Sequence, residues 1–237
     1  MNESGTGALA LLFDADDTLW ENAVFFARAL ESFCAIMSRQ GIAEERTRAL
    51  FAELEARGFR RRWYGSRRLE INLRAAARRL LDGEVEGGLA QELRAIAGSV
   101  SGHEIRIFDA VPEVLDALSR RHRLFLVTMG ESQEQGGKIE RSGLARHFEA
   151  IHVLHDKTRA AFEEIIRRHR LARRSTWMIG NSLAKDIRPA RAAGLKTVHL
   201  ANGQDFGFGL PDTGIQADLV VRSFAELARS FGVGLAR

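Results

Sequence analysis

Short apolar runs recur along the chain, and each closes on polar residues or glycine. The first covers Ala8 to Phe13 and stops abruptly at Asp14-Ala15-Asp16-Asp17. Leu124–Val127, Ile151–Leu154, Thr176–Ile179 and Thr197–Leu200 repeat the pattern, and Leu219–Val221 is a weaker sixth case. Runs this short, apolar on both faces, predict strands buried on both sides of a sheet. Helical spacing lies between them. Pro112–Arg121 carries Val114, Leu115 and Leu118, with proline near the first helical position. Thr158–His169 carries Phe162, Ile165 and Ile166, and Asp186–Ala193 ends at Gly194, a C-cap signal. Strand and helix in alternation predict an α/β fold, a Rossmann-like parallel sheet flanked by helices.

Residues 20–105 break that alternation. They carry no strand signal, and helical patterns cover roughly 21–40, 43–57, 68–82 and 88–98. The first of these packs Val24, Phe25, Phe26, Leu30, Phe33, Ile36 and Met37 on one segment, with Cys34 in the same apolar stripe. A segment this long is not a structureless loop in a compact domain. The expected organisation is a core built from 1–19 and 106–237, with an all-helical cap domain inserted at 20–105. Residues 1–7 read as a frayed tail and Gly203–Gly214 as a glycine-rich loop.

Charge and composition narrow the picture only slightly. The net charge is +4, and only four of the 35 basic residues are lysines, namely Lys138, Lys157, Lys185 and Lys196. A single cysteine excludes an intramolecular disulfide and a multi-cysteine zinc site. It fits a reducing cytoplasm, and the acidic N-terminus does not resemble a secretory signal. No apolar run approaches the ~20 residues of a membrane span.

The chemistry sits where the strands end. Asp14 and Asp16 follow the first strand, Thr128 the second, Lys157 lies beyond the third, and Asn181 and Asp186 follow the fourth. In an open parallel sheet, ligands bind outside the carboxyl ends of the strands. Gathered carboxylates need a cation, and oxygen donors from Asp and Asn suit hard Mg²⁺. Two aspartates two residues apart can divide the work, one attacking while the other moves a proton. The set reads as phosphoryl transfer through an aspartyl-phosphate.

Phe13-Asp14-Ala15-Asp16-Asp17-Thr18-Leu19 resembles the first signature of the haloacid dehalogenase superfamily, Asp-x-Asp-x-Thr after an apolar strand. Val127-Thr128 resembles the second, Lys157 the third, and Gly180-Asn181-Ser182 with Asp186 the fourth, all in the family's order. The resemblance covers nearly the whole chain, and it is similar to the phosphatase branch with a helical cap. It implies Asp14 as nucleophile and metal ligand. Asp16 would protonate the leaving alcohol, activate water and lend its backbone carbonyl to the metal. Thr128, with Met129 beside it, and Lys157 would bind the phosphoryl group, and Asn181 and Asp186 would complete the Mg²⁺ site. Two departures stand out. Asn181 replaces a common Asp and removes a negative charge, and Asp17 occupies a position that is often Gly.

Asp16 favours a phosphatase or phosphomutase over a dehalogenase, because a halide leaves without a proton. The alternatives are a haloacid dehalogenase or phosphomutase on the same scaffold, or a non-catalytic binding protein using the Arg-rich cap. That cap holds Arg57, Arg60, Arg61, Arg62, Arg67 and Arg68 around Trp63 and Tyr64. A solvated charged face is the plainer explanation of the cluster, and nucleic acid is not the expected partner. Arg61 or Arg62 is expected to grip a second anionic group of a small phosphorylated metabolite. His152 and His155 are expected to be structural, and the chain to be a monomer or homodimer.

Overall fold

The computed structural model describes residues 7–60, 65–203 and 214–234. A six-stranded sheet forms the centre. Its strands are β1 (Ala10–Phe13), β2 (Arg123–Met129), β3 (Ala150–Leu154), β4 (Thr176–Gly180), β5 (Lys196–Leu200) and β6 (Leu219–Val221), in the order β3-β2-β1-β4-β5-β6. Every pairing is parallel. Phe13 is level with both Leu126 and Ile179, so β1, β2 and β4 finish on one edge. Thr128 lies inside β2, whose end at Met129 is two residues further along than the sequence pattern placed it.

Side chains alternate across the sheet. Leu11 and Phe13 point to one face with Leu124, Leu126 and Ile179, against α5 (Val111–Ser119) and α9 (Phe224–Ser230). Ala10 and Leu12 point to the other with Phe125, Val127 and Met178. There Phe162, Ile165 and Ile166 of α7 (Arg159–His169) and Ala190 of α8 (Arg188–Ala192) cover them. Leu11, Leu12 and Phe13 are fully buried, each stabilising the fold by about 1.5–3 kcal/mol through the hydrophobic effect. The Thr158 hydroxyl accepts from the Ala161 N–H at 3.1 Å and fixes the start of α7, immediately after Lys157.

Between β1 and β2 lie α1 (Ala23–Arg39), α2 (Glu44–Arg60), α3 (Ser66–Leu81) and α4 (Gly87–Ser101). They gather a hydrophobic cluster of their own around Phe33, Met37, Leu69, Leu73, Leu93 and Val100. Cys34 is buried at its margin. The chain leaves and re-enters the sheet domain side by side. Glu21 N–H donates to the Arg106 carbonyl at 2.9 Å, Phe108 N–H donates to the Leu19 carbonyl at 3.0 Å, and Trp20 and Ile107 form an antiparallel bridge.

The structure departs from the sequence pattern at two further helices, α6 (Ser132–Ser142) and α9. The helix expected over 186–193 is instead a π-helical turn at Leu183–Ile187 that runs into α8. The glycine-rich stretch expected to be a loop lies mostly outside the described residues.

Candidate active site

The Asp14 carboxylate emerges at the edge where three strands end. Its main-chain N–H donates to the Ile179 carbonyl at 2.9 Å, which locks β1 to β4 at that point. One carboxylate oxygen accepts from Lys157 Nζ. The other accepts from the Thr18 hydroxyl at 2.9 Å. Lys157 Nζ also donates to Asp186 Oδ1 at 2.6 Å, so one buried ammonium is shared by two carboxylates far apart in sequence. Asp186 is turned back by the π-helical turn, and its second oxygen accepts from the Ser182 N–H at 3.0 Å. This geometry needs Gly180, because a Cβ there would sit 2.3 Å from Asp186 Oδ2. Asn181 joins through Thr18: the Asn181 N–H donates to Thr18 Oγ1 at 3.2 Å, and its side-chain oxygen lies 3.3 Å from the same hydroxyl. Thr128 is buried at the adjoining end of β2, and Met129 is half-buried beside it.

Burial pushes the Asp14 carboxyl up to about 7, and the neighbouring Asp186 charge adds to this against the pull of Lys157. For Lys157, burial acts downward, but Asp14 and Asp186 outweigh it and raise the ammonium's proton affinity. Lys185 sits next to Asp186 and is pushed down by burial.

Asp16 is gathered by a different set of partners. It accepts from Trp20 Nε1 at 2.8 Å, from Gln135 Nε2 at 2.9 Å, and from Lys138 Nζ at 3.0 and 3.1 Å on its two oxygens. Lys138 is 1% exposed. Burial acts to raise the Asp16 carboxyl, but the Lys138 charge and the hydrogen bonds prevail and hold it below the usual carboxylate range. Gln135 and Lys138 are partners of Asp16 that the sequence does not announce, because it does not announce α6. Asp17 turns away from the site. Its side chain accepts from the N–H groups of Asn22 and Ala23, both at 2.8 Å, at the start of α1. Its φ of 61° is the left-handed conformation that glycine favours and aspartate tolerates, which accounts for Asp at this position.

The predicted residues Asp14, Lys157, Asn181 and Asp186 are brought together, with Thr128 and Met129 on the adjoining strand and Asp16 on the turn beside them. Arg61 and Arg62 lie outside the described residues. Arg68 corrects the expectation of a solvated arginine face. It is 3% exposed and paired with buried Glu55, which also accepts from Asn72 Nδ2 at 2.7 Å. Arg57 keeps to the surface on Glu53. His152 and His169 face each other at 2.9 Å between Nε2 atoms, on β3 and the end of α7.

Among the described residues, no group of three or more His, Cys, Asp or Glu side chains is arranged to hold a metal. The oxygen donors available are the Asp14 and Asp186 carboxylates, the Asn181 amide and main-chain carbonyls of the Asp14–Asp17 turn. Two buried like charges share one lysine, and the donors are hard oxygens, so the set fits a cation such as Mg²⁺ rather than a soft metal.

A parallel sheet with a helical insertion after β1, and acidic side chains at that strand's end, defines a capped Rossmann-like hydrolase core. The model of the haloacid dehalogenase-like hydrolases matches residues 9–194, and the chain belongs to that family. No protein of curated function matches it. Among solved structures it is similar to a haloacid dehalogenase-like family hydrolase from Xanthomonas campestris, with 24% identity over 96% of each chain and a TM-score of 0.80. The HAD-hydrolase YfnB from Bacillus subtilis, solved with magnesium, gives 22% identity over 96% of this chain and 100% of that one, with a TM-score of 0.70. A structure described as a predicted phosphoglycolate phosphatase from Haemophilus somnus gives 17% identity over 96% and 100%, with a TM-score of 0.65. Haloacid dehalogenases are also among the structural neighbours. At these identities the likeness speaks to the fold. No helix among the described residues is long and apolar enough to cross a membrane.

Proposed function

We propose that the protein is a Mg²⁺-dependent phosphatase acting on a small phosphomonoester through an aspartyl-phosphate on Asp14. The observation that carries the reading is the contrast between two carboxylates two residues apart. Asp14 shares a buried lysine with Asp186, and Asp16 is held separately by its own donors. Lys157 and a bound cation would offset the Asp14 charge so that it attacks as a carboxylate, and Asp16 stands two residues further along the same turn to carry the proton.

An Asp14 oxygen attacks phosphorus as the bond to the alcohol oxygen breaks, and Asp16 supplies the alcohol's proton. Water then attacks the aspartyl-phosphate while Asp16 takes a proton from it, releasing phosphate and regenerating both carboxyl groups. Lys157 and Thr128 offset charge on the transferring oxygens. Mg²⁺ would be held by Asp14, Asp186, Asn181 and the Asp16 carbonyl, and when bound would supply further positive charge to those oxygens. Replacing Asp14 by Asn should cut phosphate release from 4-nitrophenyl phosphate to less than about one part in 10³ with the circular dichroism unchanged. Retained turnover in that variant refutes the nucleophile assignment.

A second reading, haloacid dehalogenase, is favoured by one observation: Asp16 is already engaged by Lys138, Gln135 and Trp20, and a departing halide needs no proton. Halide release from a 2-haloalkanoate, set against phosphate release from a metabolite panel with Mg²⁺ and with EDTA, separates the two.

A further inference from the structure

Helix α6 touches both the Asp16 turn and the cap. On one side, Lys138 Nζ donates to both Asp16 oxygens and, at 2.7 Å, to Asn22 Oδ1 just ahead of α1. Gln135, 4% exposed, adds its donor to Asp16 Oδ2. On the other side, Glu134 Oε2 accepts from the Ser66 N–H at 2.9 Å and the Ser66 hydroxyl at 2.8 Å, holding the first turn of α3. Gly65 sits so close that a Cβ would lie 3.2 Å from that oxygen, and its φ of 104° is one that glycine supplies. Glu134 is also 3.8 Å from Lys138.

We propose that Lys138 is the positioning residue for Asp16, and that α6 ties this position to the seating of the cap. The part about what Asp16 does rests on the phosphatase reading, but where Asp16 is held does not. The physical argument is one of bond strength. A carboxylate has about four acceptor sites, and Trp20, Gln135 and the two contacts of Lys138 take four. A proton can reach Asp16 only when one donor gives way. The neutral donors are the weaker, because charge-assisted bonds are roughly twice as strong. Gln135 also has slack, since its buried amide oxygen finds no donor among the described residues. Lys138 is therefore the contact that persists while Trp20 or Gln135 yields, and it sets the direction in which Asp16 faces.

Two measurements on Lys138→Met and Lys138→Arg test this. The first compares kcat/KM for 4-nitrophenyl phosphate, a good leaving group, with phenyl phosphate, which depends more on a proton donor. Misplacing Asp16 should raise the ratio of the two about tenfold or more in Lys138→Met, with partial return in Lys138→Arg. Equal losses on both substrates, leaving the ratio unchanged, overturn the proposal in favour of a purely structural lysine. The second reads the indole N–H resonance of Trp20, assigned by its loss in Trp20→Phe. That proton points at Asp16 Oδ1, so its shift should move in Lys138→Met and stay near wild type in Lys138→Arg. An unmoved resonance in folded Lys138→Met overturns the proposal. If wild type releases no phosphate from either ester, the phosphatase reading fails while the resonance still decides how Asp16 is held. Lys138→Gln serves both measurements should the methionine variant not fold.

Discussion

Asp14 and Asp16 stand two residues apart on one turn, and their surroundings drive them in opposite directions. Asp14 meets another carboxylate across a shared lysine, and burial raises its proton affinity. Asp16 takes both of its oxygens to Lys138, which Glu134 approaches only to 3.8 Å, with two neutral donors besides, and its proton affinity falls. Both are raised by burial, and their neighbours make the difference: the Asp186 charge adds to it at Asp14, whereas Lys138 and the donors Gln135 and Trp20 overcome it at Asp16. Proximity in sequence therefore says little about proton state, and the partners contributed by distant elements decide it.

Activity should expose the contrast most strongly. We expect Lys157→Met, which strips the shared cation, to reduce turnover of 4-nitrophenyl phosphate by about 10²–10³-fold, with kcat falling more than KM rises. Next comes stability, where the two acids should give opposite signs. Asp16→Asn leaves buried Lys138 with only the more distant Glu134 as countercharge and should cost about 3 kcal/mol, toward the low end for a broken buried pair because Asp16 is partly exposed and Glu134 remains. A denaturant titration checks this. Asp14→Asn relieves an acid that resists ionisation and should stabilise the fold by about 1 kcal/mol, seen as a rise of about 3 °C in Tm. If both variants shift Tm the same way, the contrast is broken.

The pH dependence sharpens it further. Asp14's folded pKa is raised from 3.8 to about 7, so the folded state binds the extra proton between those values. Its contribution is present below about pH 4 and is lost as pH rises toward 7. Asp16's is lowered, so its contribution is present above about pH 4 and is lost as pH falls. The stability difference between Asp14→Asn and wild type should therefore change across pH 4–7, and that between Asp16→Asn and wild type only below about pH 4 and in the opposite sense. The smallest effect is expected at the surface: Arg39→Ala breaks an exposed pair with Glu92 and should change stability by less than about 1 kcal/mol.

Much of this contrast was written in the sequence, but unevenly. The Asp14 side was legible because its members follow apolar runs that announce strands. The Asp16 side was hidden because Lys138 and Gln135 ride on α6, whose Ser132–Ser142 stretch carries Gly136-Gly137 mid-helix and Ile139 as its one large apolar residue. Two glycines disfavour the helix by about 1 kcal/mol each, and packing against the core overrides that preference. For α9 the signal was present. Ser223 and Glu226 have capping-box spacing: the Ser223 hydroxyl accepts from the Glu226 N–H at 3.2 Å, and the Glu226 carboxylate reaches back to the Arg222 N–H, one residue before the cap, at 2.7 Å. The π-helical turn at Leu183–Ile187 has no periodic signature, and it brings Asp186 close against Gly180. Arg68 illustrates a different limit. An arginine among arginines reads as surface, and only the fold brings Glu55 to it.

The antiparallel bridge between Trp20 and Ile107, with its flanking main-chain hydrogen bonds, has a consequence for how such a chain diversifies. Both ends of the helical insertion are anchored within one small ribbon. A different module spliced in at that junction would meet an unchanged pair of attachment points, and the strand ends bearing Asp14, Lys157 and Asp186 would not feel the exchange. The exchange would be felt instead at Asp16, whose lysine and its helix also hold Asn22 and Ser66 of the insertion.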